Sequence, residues 1–298
     1  MNLDQLVMEV SKQPNKTIAL AAAADKEVIE AVHKAIQKQL ASFILYGDKQ
    51  DIKQMLTDEG LTESSSLQIV HVESDQEASR MAVQAVRNGD ADVLMKGMVS
   101  TSVILKEVLN KEYGLRKGKV LSHVAAFDVR GYERLLFVTD SGMNIEPDLT
   151  QKVEIVNNAV SIARSIGIAR PKVVPLAAVE VVNPAMQATL DASALTQMNK
   201  RGQISECVID GPLALDNAIS IEAAEHKGIQ SEVAGKADIL LVPSIEVGNA
   251  LYKSLVYFAN AKVGGVIAGA KAPIVLTSRA DSSESKVYSI ALAVSSAK

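Results

Sequence analysis

The feature that most constrains this chain is a rhythm. From the N-terminus to about residue 130, short aliphatic runs alternate with longer amphipathic stretches. A short apolar run predicts a strand buried on both faces, and the stretch that follows predicts a crossover helix, so the repeat is that of βαβ units around a parallel sheet. The predicted strands cover 17–21, 42–46, 67–71, 93–95 and 123–127. Between them, Lys26-Glu-Val-Ile-Glu-Ala-Val-His-Lys-Ala-Ile and Asp75-Gln-Glu-Ala-Ser-Arg-Met-Ala-Val-Gln-Ala-Val place apolar residues three and four apart, with Asp75 as a helix cap. Aromatics are 3% of the chain and Trp is absent, while hydrophobic residues make up 48%. The core must therefore be built from Ala, Val, Ile and Leu, which suits a covered parallel sheet and argues against an all-β recognition module.

At 298 residues the chain is long enough for two domains. The polar segment 128–133, with Gly131, is the expected boundary. A second series then begins: strands over 135–138, 173–176, 206–209, 239–242 and 263–267, and a long helix over 149–166. One more buried strand, Pro273-Ile-Val-Leu, and an amphipathic helix running toward Lys298 complete the pattern. A strand and a helix cannot form a third core. The expected plan is a discontinuous α/β domain of 1–130 plus 271–298, interrupted by a second α/β domain of 131–270.

The formal net charge is −4, which argues against a broad nucleic-acid surface, so anions must be bound locally. The one cysteine, Cys207, excludes an internal disulfide and reads as a small core residue. His33, His71, His123 and His226 are scattered, with no ligand spacing, so no metal site is expected. The N-terminus lacks a signal-peptide pattern, and the longest low-polarity stretch, 263–276, is short and broken by Lys271 and Pro273. A cytoplasmic protein without a membrane partner is expected. P-loop, dinucleotide, zinc-protease and nucleophile-elbow fingerprints are all missing.

Chemistry-bearing residues gather instead at predicted strand ends, where α/β proteins collect ligand groups. Met95-Lys-Gly-Met-Val-Ser-Thr-Ser sets Lys96 before a glycine turn and Ser100 and Thr101 at a helix start, which suits an anion. Val138-Thr-Asp-Ser-Gly-Met-Asn-Ile-Glu-Pro-Asp is denser in polar groups than capping by Asp148 requires, which singles out Thr139, Asp140 and Asn144. Asp210-Gly-Pro leaves another strand, and Leu241-Val-Pro-Ser-Ile-Glu-Val-Gly-Asn puts Asn249 on the first turns of a helix. Last, Leu276-Thr-Ser-Arg-Ala-Asp-Ser-Ser-Glu-Ser carries Ser278 and Arg279 directly off an aliphatic strand, and a guanidinium fork suits phosphate.

Taken in order, these segments resemble the phosphate acetyl/butyryltransferase family, most closely its butyryl or branched-chain acyl branch. The marks are Asp92-Val-Leu-Met-Lys-Gly, Leu121-Ser-His-Val, Thr139-Asp-Ser-Gly-Met-Asn-Ile, Ala178-Val-Glu-x-Val-Asn-Pro, Asp210-Gly-Pro-Leu-Ala-Leu-Asp, Pro243-Ser-Ile-Glu-Val-Gly-Asn and Pro273-Ile-Val-Leu-Thr-Ser-Arg-Ala, spread over nearly the whole chain. The resemblance implies a two-domain fold like that of isocitrate and isopropylmalate dehydrogenases, with an interdomain cleft. It implies conversion of acyl-CoA and inorganic phosphate to acyl phosphate and CoA, reversibly, with coenzyme A and phosphate as substrates and no bound cofactor. It also implies a homo-oligomer, functionally paired with a butyrate or acyl kinase.

By the same resemblance Ser278 and Arg279 are catalytic, the arginine holding phosphate and the serine near the reacting carbonyl. Lys96 and Arg116, the latter in Gly114-Leu-Arg-Lys-Gly, are further candidate phosphate contacts. Where the acetyl branch has an aspartate beyond Ser-Arg, this chain has Ser285, which leaves Asp281 and Glu284 as candidate proton acceptors for the CoA thiol. Tyr257 stands where the acetyl branch tends to carry an arginine, a change toward a longer acyl chain. The alternatives are a phosphate acetyltransferase, a metal- and NAD(P)-dependent dehydrogenase of the same fold, and a noncatalytic acyl-CoA binder.

Overall fold

The computed structural model describes residues 1–277 and 281–297. Among them are eleven strands: β1 Lys16–Ala21, β2 Ala41–Gly47, β3 Leu67–His71, β4 Val93–Lys96, β5 Ser122–Asp128, β6 Leu136–Thr139, β7 Lys172–Pro175, β8 Val208–Ile209, β9 Ile239–Leu241, β10 Lys262–Ala268 and β11 Ile274–Val275. Each coincides with one of the aliphatic runs. The chain divides into two compact units, residues 1–118 with 263–298 and residues 119–262.

In the first unit the strand order is β3-β2-β1-β4-β11-β10. All pairs are parallel except β10 with β11. Ile18, Ala19, Leu20 and Ala21 of β1 are all fully buried, which explains why the run does not alternate: both faces are covered. Helix Lys26–Gln37 buries Val28, Ile29, Ala31, Val32 and Ala35 on one stripe and is capped by Asp25, whose carboxylate accepts from Val28 N–H at 2.9 Å. Helix Asp75–Asn88 is capped by Ser74 rather than Asp75; the hydroxyl accepts from Glu77 N–H at 3.2 Å, which puts Asp75 in the first turn, where its charge suits the helix dipole.

The C-terminal helix departs from expectation. Ser283–Ser296 is not amphipathic: nine successive residues from Lys286 to Val294 are buried. It packs on helix Lys26–Gln37, on the N-terminal helix Leu3–Val10 and on β11. A helix enclosed on all sides loses its polar face, and its remaining polar groups need internal partners.

The second unit has the order β5-β6-β9-β7-β8, parallel apart from β5 with β6. Both expected domain boundaries shift for the same reason. The polar segment around Gly131 is the turn of the β5–β6 hairpin, not a linker, so the division falls earlier, between 118 and 119. Likewise β10 pairs with β11, so the return to the first unit starts at 263 rather than 271. Among the described residues no helix is long and apolar enough to cross a membrane.

Candidate active site

In the first unit, β1 to β4 run parallel and end together, and Lys96 is the last residue of β4, where the chain turns. The lysine is 7% exposed, and its ammonium donates to the carbonyls of Gly97 (3.0 Å) and Val99 (3.1 Å). It therefore braces its own turn. Gly97 N–H donates to Ala21 O and Met98 N–H to Ala22 O, both at 2.8 Å, so the turn lies flat on the end of β1. Only glycine fits there: a Cβ on Gly97 would stand 2.1 Å from Ala22 O. Ser100 caps helix Thr101–Val108, its hydroxyl accepting from Val103 N–H at 3.4 Å, and both Ser100 and Thr101 are exposed at the helix entrance.

Arg116 is exposed, and its Nε–H donates to Leu109 O at 2.8 Å, where it covers the C-terminal end of that same helix. Ser278 and Arg279 lie outside the described residues. Just downstream, Lys286 on the C-terminal helix donates to Asp281 O and pairs with Glu27. Glu284 is turned elsewhere: Tyr288 OH donates toward both Glu284 Oε1 (3.0 Å) and Asp4 Oδ1 (2.6 Å), against the N-terminal helix. Burial, with these two carboxylates, pushes the Tyr288 phenol well above its ordinary range, so it stays a donor. Glu284 is thus tied into a structural cluster and does not join the Lys96 turn.

A cavity of about 420 Å³ opens where β1, β2 and β3 end, lined by Ala22, Asp48, His71, Glu73, Asp75 and Met98 among others. Sequence spacing gave no hint of it, because its walls come from four separate connections. Its carboxylates repel phosphate, which leaves the Lys96 side of this edge as the anion-compatible one.

In the second unit the loop after β6 is the counterpart. Thr139 is fully buried, and its hydroxyl donates to His123 O at 2.8 Å. Asp140 is 2% exposed: Gly142 N–H and Met143 N–H donate to its Oδ1 (both 2.9 Å), and Asn144 Nδ2–H donates to its Oδ2 (2.6 Å) and to Leu121 O (2.8 Å). Asp140 and Asn144 therefore shape this loop from within, rather than presenting polar groups outward. Sequence reasoning missed His123 and Ser141, which are hydrogen-bonded at 2.8 Å between Nδ1 and Oγ, and Tyr252, whose ring lies 6.0 Å from that of His123. The signal was available only as the Leu121-Ser-His-Val segment, which names residue types but not their meeting.

Helix Ile245–Tyr257 reaches this loop through Gly248, where a Cβ would come 2.6 Å from Asp140 O. Asn249, next to it, is exposed. Its own backbone N–H, and then the Ser244 hydroxyl, hold the Glu246 carboxyl below its ordinary value, so it stays ionised at the helix start. Tyr257 is 64% exposed, with the Lys253 ammonium 5.9 Å from its ring centre. Asp140, Asp210 and Glu246 do not assemble: among the described residues no group of three or more His, Cys, Asp or Glu is placed to hold a metal ion.

Comparison with known proteins bears directly on this arrangement. A family model described as phosphate acetyl/butaryl transferase matches residues 2–80 and 75–294. A probable phosphate butyryltransferase of Bacillus subtilis (strain 168) is 55% identical over 294 residues, 99% of this chain and 97% of the relative. A phosphate acetyltransferase of Thermotoga maritima is 47% identical, over 98% of each chain. Among solved structures, a branched-chain phosphotransacylase from Enterococcus faecalis V583 superposes with a TM-score of 0.84 at 38% identity, covering 94% of this chain and 98% of that one.

Proposed function

Because the chain belongs to the phosphate acetyl/butaryl transferase family, we propose that it converts butyryl-CoA, or a similar short or branched acyl-CoA, and phosphate to acyl phosphate and CoA, reversibly. The near full-length match to the Bacillus subtilis relative carries this reading. A phosphate oxygen attacks the thioester carbonyl, an oxyanion forms, and the C–S bond breaks. The proton lost by hydrogen phosphate ends on the departing sulfur, so the step balances without an outside reagent. Such a reaction needs fixed donors and positive charge around two anions more than it needs a covalent intermediate.

Arg279 is assigned the phosphate, with Ser278 beside the carbonyl and Arg116 as a second cation. Lys96 contributes by bracing the turn that leads to Ser100 and Thr101. In the reverse direction Asp281 takes the thiol proton; Glu284, already engaged by Tyr288, is not assigned this role. Thr139, Asp140 and Asn144 set the loop of the second unit, and Asn249 follows Gly248, which packs against that loop. The finer fold assignment, an isocitrate/isopropylmalate dehydrogenase-like pair of domains with a cleft, belongs to the same reading, as do a cytoplasmic location and a homo-oligomer. The product is a mixed anhydride, suited to an acyl kinase that passes its phosphoryl group on.

The Thermotoga maritima relative favours acetyl-CoA as a second reading of the acyl group. Thiol release measured with acetyl-, propionyl-, butyryl- and isobutyryl-CoA, each with and without phosphate, separates them. The expected result is phosphate-dependent release, fastest with a four-carbon acyl group. Release that ignores phosphate overturns the reaction, and a preference for acetyl-CoA overturns the acyl assignment.

A further inference from the structure

The proposed reaction makes no use of Lys286, a deeply buried cation. Lys286 sits on the first turns of helix Ser283–Ser296 with its side chain 3% exposed, and its ammonium meets two groups: Glu27 Oε2 at 3.2 Å and the backbone carbonyl of Asp281. A lysine is not buried for packing alone, since desolvating the ammonium is costly unless its donors are filled. Two further contacts run in parallel: Lys34 Nζ donates to Ser283 Oγ at 2.7 Å, and Ser283 Oγ–H to Glu30 Oε1 at 3.1 Å. One face of helix Lys26–Gln37 thus grips residues 281–283, and the same helix starts just after Ala22, on which the Lys96 turn rests.

We propose that Lys286 is a positioning residue for phosphate: by tying the backbone of Asp281 to Glu27, it anchors the chain two residues after Arg279 to the helix that the chain enters from Ala22, whose carbonyl accepts from Met98 N–H in the turn after Lys96. The chain from Asp281 onward and the turn after Lys96 are then both held by the stretch 22–37. This rests on the reading of Ser278 and Arg279 given above. Lysine is used because its partner is a carbonyl fixed in the backbone, which a hydrophobic side chain of equal volume cannot hold.

Steady-state kinetics with butyryl-CoA and phosphate tests it on the full chain, comparing wild type with Lys286→Met, Lys286→Arg and Glu27→Gln. Lys286→Met should raise the KM for phosphate on the order of tenfold and leave that for butyryl-CoA within about twofold, because misplacement of one binding group acts on one substrate. Lys286→Arg should recover most of the loss, and Glu27→Gln should fall between. If Lys286→Met fails to fold, Glu27→Gln, whose carboxylate is 58% exposed, carries the test. A phosphate KM that stays at the wild-type value in the folded variants, with only the melting temperature lowered, overturns the proposal. A wild-type protein with no phosphate-dependent release overturns the functional reading instead.

Discussion

Gly97→Ala probes the Lys96 turn with one methyl group. The new Cβ would lie 2.1 Å from Ala22 O and 2.8 Å from Ala21 O, and a normal contact starts near 3.4 Å, so something must move by about 1.3 Å. The obstacles are backbone carbonyls, which cannot swing aside as a side chain end can. Both already accept hydrogen bonds from the turn, at 2.8 Å, and any shift weakens those. Overpacking costs about 1–3 kcal/mol and each of the two weakened bonds about 1 kcal/mol, for a total of roughly 3–5 kcal/mol. At about 2–4 °C per kcal/mol in a unit of this size, the melting temperature should fall by roughly 6–20 °C. Activity should fall further, on the order of a hundredfold in kcat/KM, because a displacement near 1 Å spoils alignment of the reactants. Gly60→Ala is the control: that glycine has φ +73° but nothing within 4 Å, so only about 1 kcal/mol of conformational strain is expected, with unchanged kinetics. Thermal unfolding by circular dichroism and phosphate-dependent thiol release measure the two effects. A Gly97→Ala protein that melts and turns over like wild type would refute the account of this turn.

Three other outcomes follow from buried or capping groups. Lys152 and Asp191 form an ion pair at 2.5 Å with side chains only 6% and 8% exposed, so Lys152→Met should cost about 3–5 kcal/mol in denaturant titrations, and Lys152→Met with Asp191→Leu should regain much of it; equal costs for single and double variants would contradict this. Asp48 is held below the ordinary carboxylate range by the Asp51 N–H it caps, so its contribution is present above its unfolded value and fades as pH falls through the lower folded one. Asp48→Asn keeps the cap but not the charge, so its stability gap from wild type should close in acid below about pH 4, and a gap that widens there would reverse the sign. Burial raises the Cys207 thiol to about 11, so a disulfide reagent at neutral pH should leave it untouched until the chain is unfolded, and thiol-release assays should show no background from it.

The strands were legible in sequence because burial on both faces demands an unbroken aliphatic run, and β1 is buried at every position from Ile18 to Ala21. The C-terminal helix was misread because Lys286 and Ser289 look like a solvent face. In fact Ser289 Oγ accepts from Gly265 N–H at 2.9 Å, and Lys286 is filled by Glu27 and Asp281, partners far off in sequence or outside any periodicity. Asp140 and Asn144 stand out in sequence as more than capping requires, yet their partners are within the loop and at Leu121 O, a direction that residue type cannot reveal. Gly131 signalled a change of direction, and nothing local distinguishes a hairpin turn from a linker. Glu284 was chosen by proximity to Arg279 in the chain, but a helix sends neighbours to different faces, and Tyr288, one turn on, takes it.

The pairing of β11 with β4 also fixes an order of events during synthesis. β4 leaves the ribosome long before β11, because the 144 residues of 119–262 are made between the first part of unit one and its return. At roughly 5–20 residues per second, that is a wait of about 7–30 s. During it, the second unit has its whole sequence and can close, while the newborn edge of β4 has no partner on one side and the space of helix Ser283–Ser296 is empty. An unpaired apolar edge invites mispairing with other chains. The β4 edge and the seat of helix Ser283–Ser296 are therefore completed last, and a chain arrested before residue 263 should carry a closed second unit and an open first one.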